Sequence, residues 1–261
     1  MARDVGLSRR QILSRGLAAG AAVGLAACDR LSQASDSRSA LEAAESLTKA
    51  VQRALIGPRE ALAPEYSEAD ISKVFKANGS TEPDDPDYQR FREEGFASWR
   101  LVVDGLVEKP QRLSLADLRA LPSRTQITRH DCVEGWSCIG KWTGAPLKEV
   151  LDLAGLKPGA RYIVFHCADT LEQTLDGTGQ YYESIDLVDA FHPQTILAYD
   201  MSGAPLPVAH GAPLRLRVER QLGYKMAKYV MRVEAANDFS SLGRGRGGFW
   251  EDRGYEWYAG I

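Results

Sequence analysis

Hydrophobic and polar positions form short periodic runs along most of the chain after Trp99. Alternation with a period of two predicts strands over 99–104, 125–130, 161–167, 195–200, 214–219 and 228–235. Helical spacing predicts helices over 114–120, 146–154 and 185–191, and residues 201–203 are typical of a hairpin turn. Strands and helices are therefore mixed along the chain, without a strict βαβ period.

The pattern before Trp99 is weaker. Residues 29–62 predict a helical spacer, because apolar residues recur there at helical spacing, at Leu41, Ala44, Leu47, Val51 and Leu55. Residues 64–98 are polar and irregular, and the two prolines within 82–87 cannot continue a helix or a central strand. A loop of this length in a catalytic domain is often the rim of a pocket.

The first residues resemble an export signal. Ser8-Arg9-Arg10 matches a twin-arginine pattern, and an Ala/Gly-rich apolar stretch follows at 16–27. This stretch is shorter than the roughly 20 apolar residues needed to span a bilayer. Twin-arginine export carries folded proteins, so we expect a periplasmic protein that acquires any cofactor before export. The sequence then divides into a signal at 1–28, a helical and polar spacer at 29–70 and one domain at 71–261.

A second feature of the signal concerns membrane attachment. Leu25-Ala26-Ala27-Cys28 matches a bacterial lipobox, in which cleavage leaves the cysteine as a diacylated N-terminus. Asp29 resembles the residue that retains lipoproteins at the inner membrane of some bacteria. The alternative is an ordinary cleaved signal that contains an incidental cysteine.

Charge and cysteine content narrow the function. A net charge of −3, with arginines scattered along the chain, gives no basic surface for nucleic acid. Of the four cysteines, one lies in the signal and three remain in the mature protein. Because three is odd, at least one thiol in an oxidising compartment is free or bound to a ligand.

Cys132 is the most informative of these thiols. It directly follows the predicted strand 125–130 and precedes a turn region rich in Gly and Trp, where loops commonly carry chemistry. A thiolate in this place can be a nucleophile, half of a disulfide or a soft metal ligand.

Other readings of the cysteines remain open. A zinc site would draw on five residues, His130, Cys132, Cys138, His166 and Cys167, but their spacings fit no paired Cys-x-x-Cys motif. A structural disulfide would join Cys138 to Cys132 or to Cys167. Cys138 is otherwise a small buried hydrophobe.

A second segment combines turn residues with cations. His210-Gly211-Ala212-Pro213-Leu214-Arg215 is followed by Gly223 and, five residues later, Lys228. Without the Gly-x-Pro, Arg215 and Arg217 would be assigned to the polar face of an amphipathic strand. A guanidinium, an ammonium and backbone donors at a turn are also the groups that bind a phosphate.

The two segments, in this order, resemble the molybdopterin-dependent oxidoreductases of the sulfite oxidase superfamily. The resemblance rests on Arg129-x-x-Cys132-x-x-x-Trp136, on the Trp142-Thr-Gly-Ala-Pro-Leu element after it, and on the Gly-x-Pro-x-Arg and Lys pair. It implies an α+β fold with mixed sheets, and a molybdenum–molybdopterin cofactor whose metal takes Cys132 as its single protein ligand. Arg215 and Lys228 would hold the phosphate, with His210 and Ala227 also contacting the cofactor.

The resemblance implies further contacts. Asn78 corresponds to an asparagine near the molybdenum, and Thr81 and Glu82 to a polar pair at the pterin. Cys167 stands where the methionine-sulfoxide reductase branch has a cofactor-contacting threonine. This is a departure, because a thiol is a weaker hydrogen-bonding group than a hydroxyl.

The residues around the metal would take part in catalysis. Glu134 and Trp136 would orient the thiolate and shape the pocket. Tyr181 or Tyr182 would donate a hydrogen bond to a metal oxo group, as an active-site tyrosine does in sulfite oxidases. The alternatives are an ordinary core position for Trp136 and a tyrosine-rich pocket wall.

The implied reaction is two-electron oxygen-atom transfer. Sulfite oxidases carry arginines just past the cysteine, whereas this chain has Val133 to Trp136 there, with a carboxylate that would repel sulfite. We therefore expect reduction of a neutral S-oxide or N-oxide, with sulfite oxidation as the alternative. A third possibility is a non-catalytic partner protein that binds through the acidic loop 82–87.

The electrons would come from another protein, because the sequence has no haem-attachment Cys-x-x-Cys-His. By resemblance, the donor is a membrane b-type cytochrome subunit or a soluble periplasmic carrier.

Overall fold

The computed structural model describes residues 47, 48, 50–52, 54 and 61–261. The chain divides into two compact units, Met1–Ala54 and Leu55–Ile261. In the first unit, the described residues of the predicted spacer are helical, and Leu47 and Val51 are exposed. The export signal, with Cys28, lies outside the described residues. Among the described residues, no helix has both the length and the apolar character that crossing a membrane requires.

The second unit contains both sheets. Its helices are α1 (Pro86–Glu93), α2 (Leu115–Ala120), α3 (Leu147–Ala154) and α4 (Leu187–Ala190). Its strands are β1 (Leu101–Gly105), β2 (Gln111–Leu113), β3 (Arg124–Asp131), β4 (Ser137–Pro146), β5 (Tyr162–Thr170), β6 (Gln180–Asp186), β7 (Ile196–Met201), β8 (Ala204–Pro205), β9 (Arg215–Arg217) and β10 (Val230–Ala236).

Both sheets are dominated by antiparallel pairs. The first has the order β2-β1-β10-β5-β6, in which only β1 and β10 run parallel. The second has the order β3-β4-β7-β8, and β9 pairs with β7. Apolar residues of both sheets, among them Leu101, Phe165 and Leu197, share one core with α3. This arrangement confirms the predicted α+β fold with mixed sheets.

Strand β4 was not predicted, because its glycines suggested a turn. In the structure the two glycines allow close packing. A Cβ at Gly144 would lie 2.2 Å from the carbonyl oxygen of Leu197 on β7, and one at Gly140 would lie 2.9 Å from the Phe75 ring. Glycine within a strand often marks such an approach of a neighbouring chain segment.

Two further predictions were wrong in detail. Residues 64–98 are not wholly irregular, because Pro86 begins α1 with Asp85 as its N-cap, whose side chain accepts from Tyr88 N at 2.8 Å. Proline cannot continue a helix, but it suits the first helical position. The predicted helix 185–191 is in fact the end of β6 followed by the short α4.

A buried ion triad joins three segments of this unit. Lys225 Nζ lies 2.5 Å from Oε1 of both Glu183 on β6 and Glu251 near the C-terminus. All three side chains are at most 1% exposed. Burial and the neighbouring carboxylate of Glu251 raise the pKa of Glu183 well above its ordinary value. The triad therefore ties the C-terminal segment to the sheet through a single shared cation.

Replacing Lys225 by Met should destabilise the fold strongly, because two buried carboxylates would lose their counter-charge. We expect the free energy of unfolding to fall by about 3–5 kcal/mol. The matched control is Lys148→Met, which removes an exposed ion pair with Asp152 and should cost no more than about 0.5 kcal/mol. Urea unfolding followed by circular dichroism measures both, and similar small losses in the two variants would contradict the role of the triad.

Candidate active site

Cys132 lies at the tip of the hairpin formed by β3 and β4. Its backbone N–H donates to the Trp136 carbonyl at 2.9 Å, and the Gly135 N–H donates to the Cys132 carbonyl at 3.0 Å. Gly135 has a φ of 84°, a left-handed conformation that favours glycine. The tight five-residue turn thus holds a half-buried thiol at the end of a rigid strand pair.

This thiol opens into a cavity of about 130 Å³. Five polar residues line it: Asn78, Cys132, Glu134, Asp169 and Lys228. Its apolar and aromatic walls include Leu171, Tyr181, Tyr224, Met226, Trp250 and Tyr255. The structure therefore brings together five of the predicted site residues, namely Asn78, Cys132, Glu134, Tyr181 and Lys228.

The electrostatics around Cys132 leave it as a neutral thiol. Burial raises the pKa of Cys132, although backbone N–H groups of the turn partly oppose that effect. At the cavity mouth Glu134 accepts from Trp136 Nε1 at 2.8 Å and faces Lys76 at 3.5 Å. The Trp136 hydrogen bond and then the charge of Lys76 lower the pKa of Glu134, so this carboxylate is ionised. A metal ion at Cys132 would ionise the thiol.

Lys228 is a buried cation that no carboxylate contacts directly. Its Nζ donates to the backbone carbonyls of Asn78 at 2.6 Å, of Ala209 at 3.2 Å and of Ser80. Burial, and then repulsion from Arg215, lower the pKa of Lys228. An anion beside this ammonium would reverse that shift.

Arg215 on β9 is fully buried and mostly unpartnered. Its Nη1 donates to the His210 carbonyl at 3.0 Å, but Nε and Nη2 have no hydrogen-bond partner in the described part of the chain. Arg217, two residues later, makes a bidentate pair with Glu219 at 2.9 and 2.7 Å, and its Nη1 lies 3.1 Å from His130 Nδ1. Strand β9 thus contains one arginine that is paired with a carboxylate and one with two N–H groups that have no partner among the described residues.

The donor set at Arg215 and Lys228 fits the phosphate of a molybdopterin. Leaving N–H donors unpaired in the interior is costly, and a phosphate would accept from both the guanidinium and the ammonium. Gly211, with a φ of 108°, keeps the turn between them open, since a Cβ there would lie 2.9 Å from that of Lys228. These residues would hold the phosphate, and Cys132 would hold the metal.

His210 faces a different cavity. It lines a space of about 260 Å³ that also includes Phe75, whose ring meets the His210 ring edge-on at 5.6 Å. Burial, together with Arg215 and Lys228, lowers the pKa of His210 to about 4, so the ring is neutral at pH 7. Ala227 is buried in the core, and its carbonyl accepts from Leu216 N at 2.8 Å.

The remaining predicted residues are not among those that line the 130 Å³ cavity. Thr81 and Glu82 are exposed, and Glu82 pairs with Arg92 of α1. Cys167 is buried on β5, and burial raises its thiol pKa well above the usual range. Tyr182 alternates with Tyr181 along β6 and donates to Asp252 Oδ2 at 2.8 Å.

Neither the disulfide nor the zinc site considered from the sequence is found among the described residues. Cys132, Cys138 and Cys167 are all free thiols. Within the described residues, no three His, Cys, Asp or Glu side chains converge on a possible metal position, and this includes the five residues of the hypothetical zinc site. His130 is instead buried, with Nδ1 3.3 Å from the sulfur of Met226.

The sequence analysis did not predict Asp169 or most of the aromatic residues that line the cavity. Asp169 is buried on β5, where its Oδ2 accepts from Ser80 Oγ at 2.7 Å and its Oδ1 has no partner in the described part of the chain. Burial raises the pKa of Asp169. Trp250 and Tyr255 belong to an irregular segment without periodicity, where only the density of aromatic residues was a signal.

Comparisons with known proteins show the family to which the chain belongs. The family model for the oxidoreductase molybdopterin-binding domain matches residues 89–241. A relative from Azospira oryzae, provisionally named protein-methionine-sulfoxide reductase subunit YedZ1, is 39% identical over 97% of this chain and 88% of its own length. The protein-methionine-sulfoxide reductase catalytic subunit MsrP of Xanthomonas axonopodis is 38% identical over 53% of this chain and 45% of its own length.

Among solved structures, the sulfane dehydrogenase SoxCD of Paracoccus pantotrophus matches 54% of this chain and 38% of its own, with 25% identity and a TM-score of 0.47. The extent of the family match defines the class: this chain belongs to the family of oxidoreductases with a molybdopterin-binding domain. It is an oxidoreductase of the sulfite oxidase superfamily, as the two sequence segments predicted.

If Arg215 and Lys228 hold the phosphate, removing either side chain should lower cofactor content. Charge-assisted hydrogen bonds contribute about 1.5–3 kcal/mol each, so Arg215→Ala or Lys228→Ala should reduce occupancy about ten- to a hundredfold. Metal analysis and pterin fluorescence of purified protein should fall together. Arg90→Ala, which removes an exposed pair with Asp87, is the control. Full molybdenum content in both site variants would refute the assignment.

Proposed function

We propose that this chain reduces a sulfoxide or an N-oxide by two-electron oxygen-atom transfer. The observation that carries this proposal is the charge of the cavity beside Cys132. Glu134 lines this cavity two residues beyond Cys132, and the hydrogen bond from Trp136 and the charge of Lys76 lower its pKa, so it is an ionised carboxylate. A sulfite dianion approaching Cys132 would be repelled by this carboxylate, whereas a neutral S-oxide would not.

The relatives support the same direction of reaction. Both are named as subunits of protein-methionine-sulfoxide reductases, and one of them aligns over nearly the whole chain. The chain matches less than half the length of the MsrP relative, so its substrate is part of the proposal.

The cofactor and the protein residues would contribute different parts of the reaction. Reduction of a sulfoxide consumes two electrons and two protons and yields a thioether and water. A bound molybdenum–molybdopterin supplies the two-electron oxygen-atom transfer. Cys132 would hold the metal, and the buried side chains of Arg215 and Lys228 would hold the phosphate. The Tyr181 hydroxyl donates a hydrogen bond to the Tyr224 carbonyl. In this arrangement Tyr181 forms part of the aromatic side of the cavity.

The proposal extends to location and electron supply. The twin-arginine pattern at Arg9-Arg10 supports export to the periplasm, and the lipobox at Cys28 supports a lipid anchor in the inner membrane. Electrons would come from a membrane b-type cytochrome subunit or a soluble periplasmic carrier, since the sequence offers no haem-attachment motif.

The decisive test of the chemistry is Cys132→Ser. A neutral hydroxyl cannot replace the thiolate donor, so the variant should fold but lose reduction of methionine S-oxide with a reduced dye as the electron source. Cys138→Ala should keep activity and cost at most about 1–2 kcal/mol of stability. Equal and complete loss in both variants would contradict a metal role specific to Cys132. A wild type that oxidises sulfite but reduces no S-oxide or N-oxide would contradict the proposed direction.

Export should follow cofactor loading. Replacing both Arg9 and Arg10 by Lys should trap a molybdenum-loaded precursor in the cytoplasm, because the cofactor is inserted before export. Fractionation of tagged protein followed by metal analysis tests this prediction. A metal-free cytoplasmic precursor would contradict the prediction that the cofactor is inserted before export.

Lipid attachment has a separate test. Cys28→Ala should move the mature protein from the membrane fraction to the soluble periplasm, since two or three acyl chains contribute ~0.8 kcal/mol per buried methylene. High-salt washing of the wild type distinguishes a lipid anchor from ionic adsorption. A soluble wild type would refute lipidation and leave export intact.

A further inference from the structure

A strap of chain, residues 72–80, crosses the site from β4 to β5. At its start Ser72 pairs with Ile139, outside the part of β4 that pairs with β7. The Ser72 N–H donates to the Ile139 carbonyl at 3.0 Å, and Ser72 Oγ accepts from the Ile139 N–H at 2.9 Å. At its end Ser80 Oγ donates to Asp169 Oδ2 at 2.7 Å. The strap therefore joins the two sheets.

Phe75 fastens the middle of the strap. Its ring centroid lies 5.2 Å from that of Trp142 and 5.6 Å from that of His210, both edge-on, and 5.7 Å from that of His130. Gly140 leaves room for the ring, because a Cβ there would lie 2.9 Å from it. The edge-on pair with Trp142 has a favoured aromatic geometry, which stabilises beyond the area it buries.

The strap also shares the ammonium of Lys228 with the proposed phosphate. Lys228 Nζ donates to the carbonyls of Asn78 and Ser80, and Tyr229 donates its hydroxyl to the same Ser80 carbonyl at 3.1 Å. An ammonium has three donors, and the two strap carbonyls take two of them. Asn78 and Gly79 also line the cavity. A phosphate bound to Lys228 would therefore lie against the strap.

The two groups that would hold the phosphate are buried, so a cofactor must displace a segment of chain to reach them. Arg215 lies in β9, which pairs with β7, and the residues on either side of Lys228 accept backbone hydrogen bonds. Among the described residues, the strap is tied by the backbone pair at Ser72 and otherwise through side chains. A segment with few backbone bonds opens at a lower free-energy cost than a strand.

We infer that the strap is the gate of the cofactor site: it opens to admit the molybdenum–molybdopterin and then keeps it from leaving. The inference rests on the proposed assignment of Cys132, Arg215 and Lys228 to the cofactor. It adds residues that precede position 89, where the match to the family model begins. A gate changes the rates of entry and of loss in the same direction, whereas a simple cofactor contact changes mainly the rate of loss.

The experiment measures cofactor exchange in Phe75→Ala. Uptake is followed by mixing apoprotein, from cells that make no molybdopterin, with molybdenum–molybdopterin and measuring protein-bound pterin fluorescence. Loss is followed by filtering loaded protein at intervals and measuring the molybdenum that the protein retains. Both rates should rise about tenfold in the variant, because the strap loses its ring contacts. Final occupancy at equal cofactor concentration should change by no more than about twofold.

Val74→Ala is the matched control, because this strap residue is 79% exposed and its replacement should leave both rates unchanged. Phe75→Leu, which keeps part of the apolar contact, should give intermediate rates. Ser72→Ala removes the acceptor of the Ile139 N–H and should speed both rates about threefold. It carries the test if Phe75→Ala fails to fold.

Hydrogen exchange gives a readout that needs no cofactor. In the apoproteins, the peptide that covers residues 72–80 should exchange faster in Phe75→Ala than in Val74→Ala, since the strap opens more often. Equal exchange in the two variants would contradict a role for Phe75 in closing the strap.

The outcomes separate the gate from the proposed function. Faster loss with unchanged uptake in Phe75→Ala would make Phe75 a cofactor contact and overturn the gate. Unchanged rates in both Phe75→Ala and Ser72→Ala would also overturn it and leave the proposed function standing. A wild type that takes up no molybdopterin would overturn the gate and the cofactor assignment together.

Discussion

Two buried basic side chains without a salt bridge in the described part of the chain are the constraint on which this site depends. Within the described residues, Arg215 and Lys228 form no salt bridge and bond only to backbone carbonyls. Arg217, on the same short strand, is fully paired with Glu219, so burial of an arginine does not by itself leave donors open. The difference shows that Arg215 and Lys228 have the donors that an anionic ligand would pair with.

Two structural features, formed in different ways, hold the two sides of the cavity in place. The hairpin of β3 and β4 places Cys132 at a tight turn through hydrogen bonds between residues close together in sequence. The opposite wall depends on contacts between distant segments, because the triad of Glu183, Lys225 and Glu251 joins β6 to the C-terminal segment. Loss of the first feature would displace Cys132, whereas loss of the second would alter the aromatic side of the cavity.

Local patterns predicted much of this arrangement. The alternation before Cys132 predicted a strand ending at the thiol, and the structure has β3 there. The Gly-x-Pro turn distinguished Arg215 from an ordinary strand arginine, and its unpartnered donors agree with that distinction. Both features depend on residues close together in sequence. Periodicity was sufficient for the strand, whereas the role of Arg215 was implied by the resemblance of its segment to the family.

What the sequence did not predict depends on distant contacts. The glycines of β4 resemble turn residues until Leu197 is seen packed against Gly144. Tyr181 and Tyr182 were equivalent candidates because β6 was not recognised as a strand, although its alternation sends them to opposite faces. Trp250 has no periodic neighbours at all, and only the folded chain places it in the cavity.

The central claim is that Cys132 binds the metal of a cofactor whose phosphate the buried cations hold. Molybdenum K-edge X-ray absorption of the purified protein tests it directly, by comparing the wild type with Cys132→Ser at equal metal content. The account predicts that the variant has one sulfur neighbour fewer at molybdenum. The same number of sulfur neighbours in both proteins would contradict it.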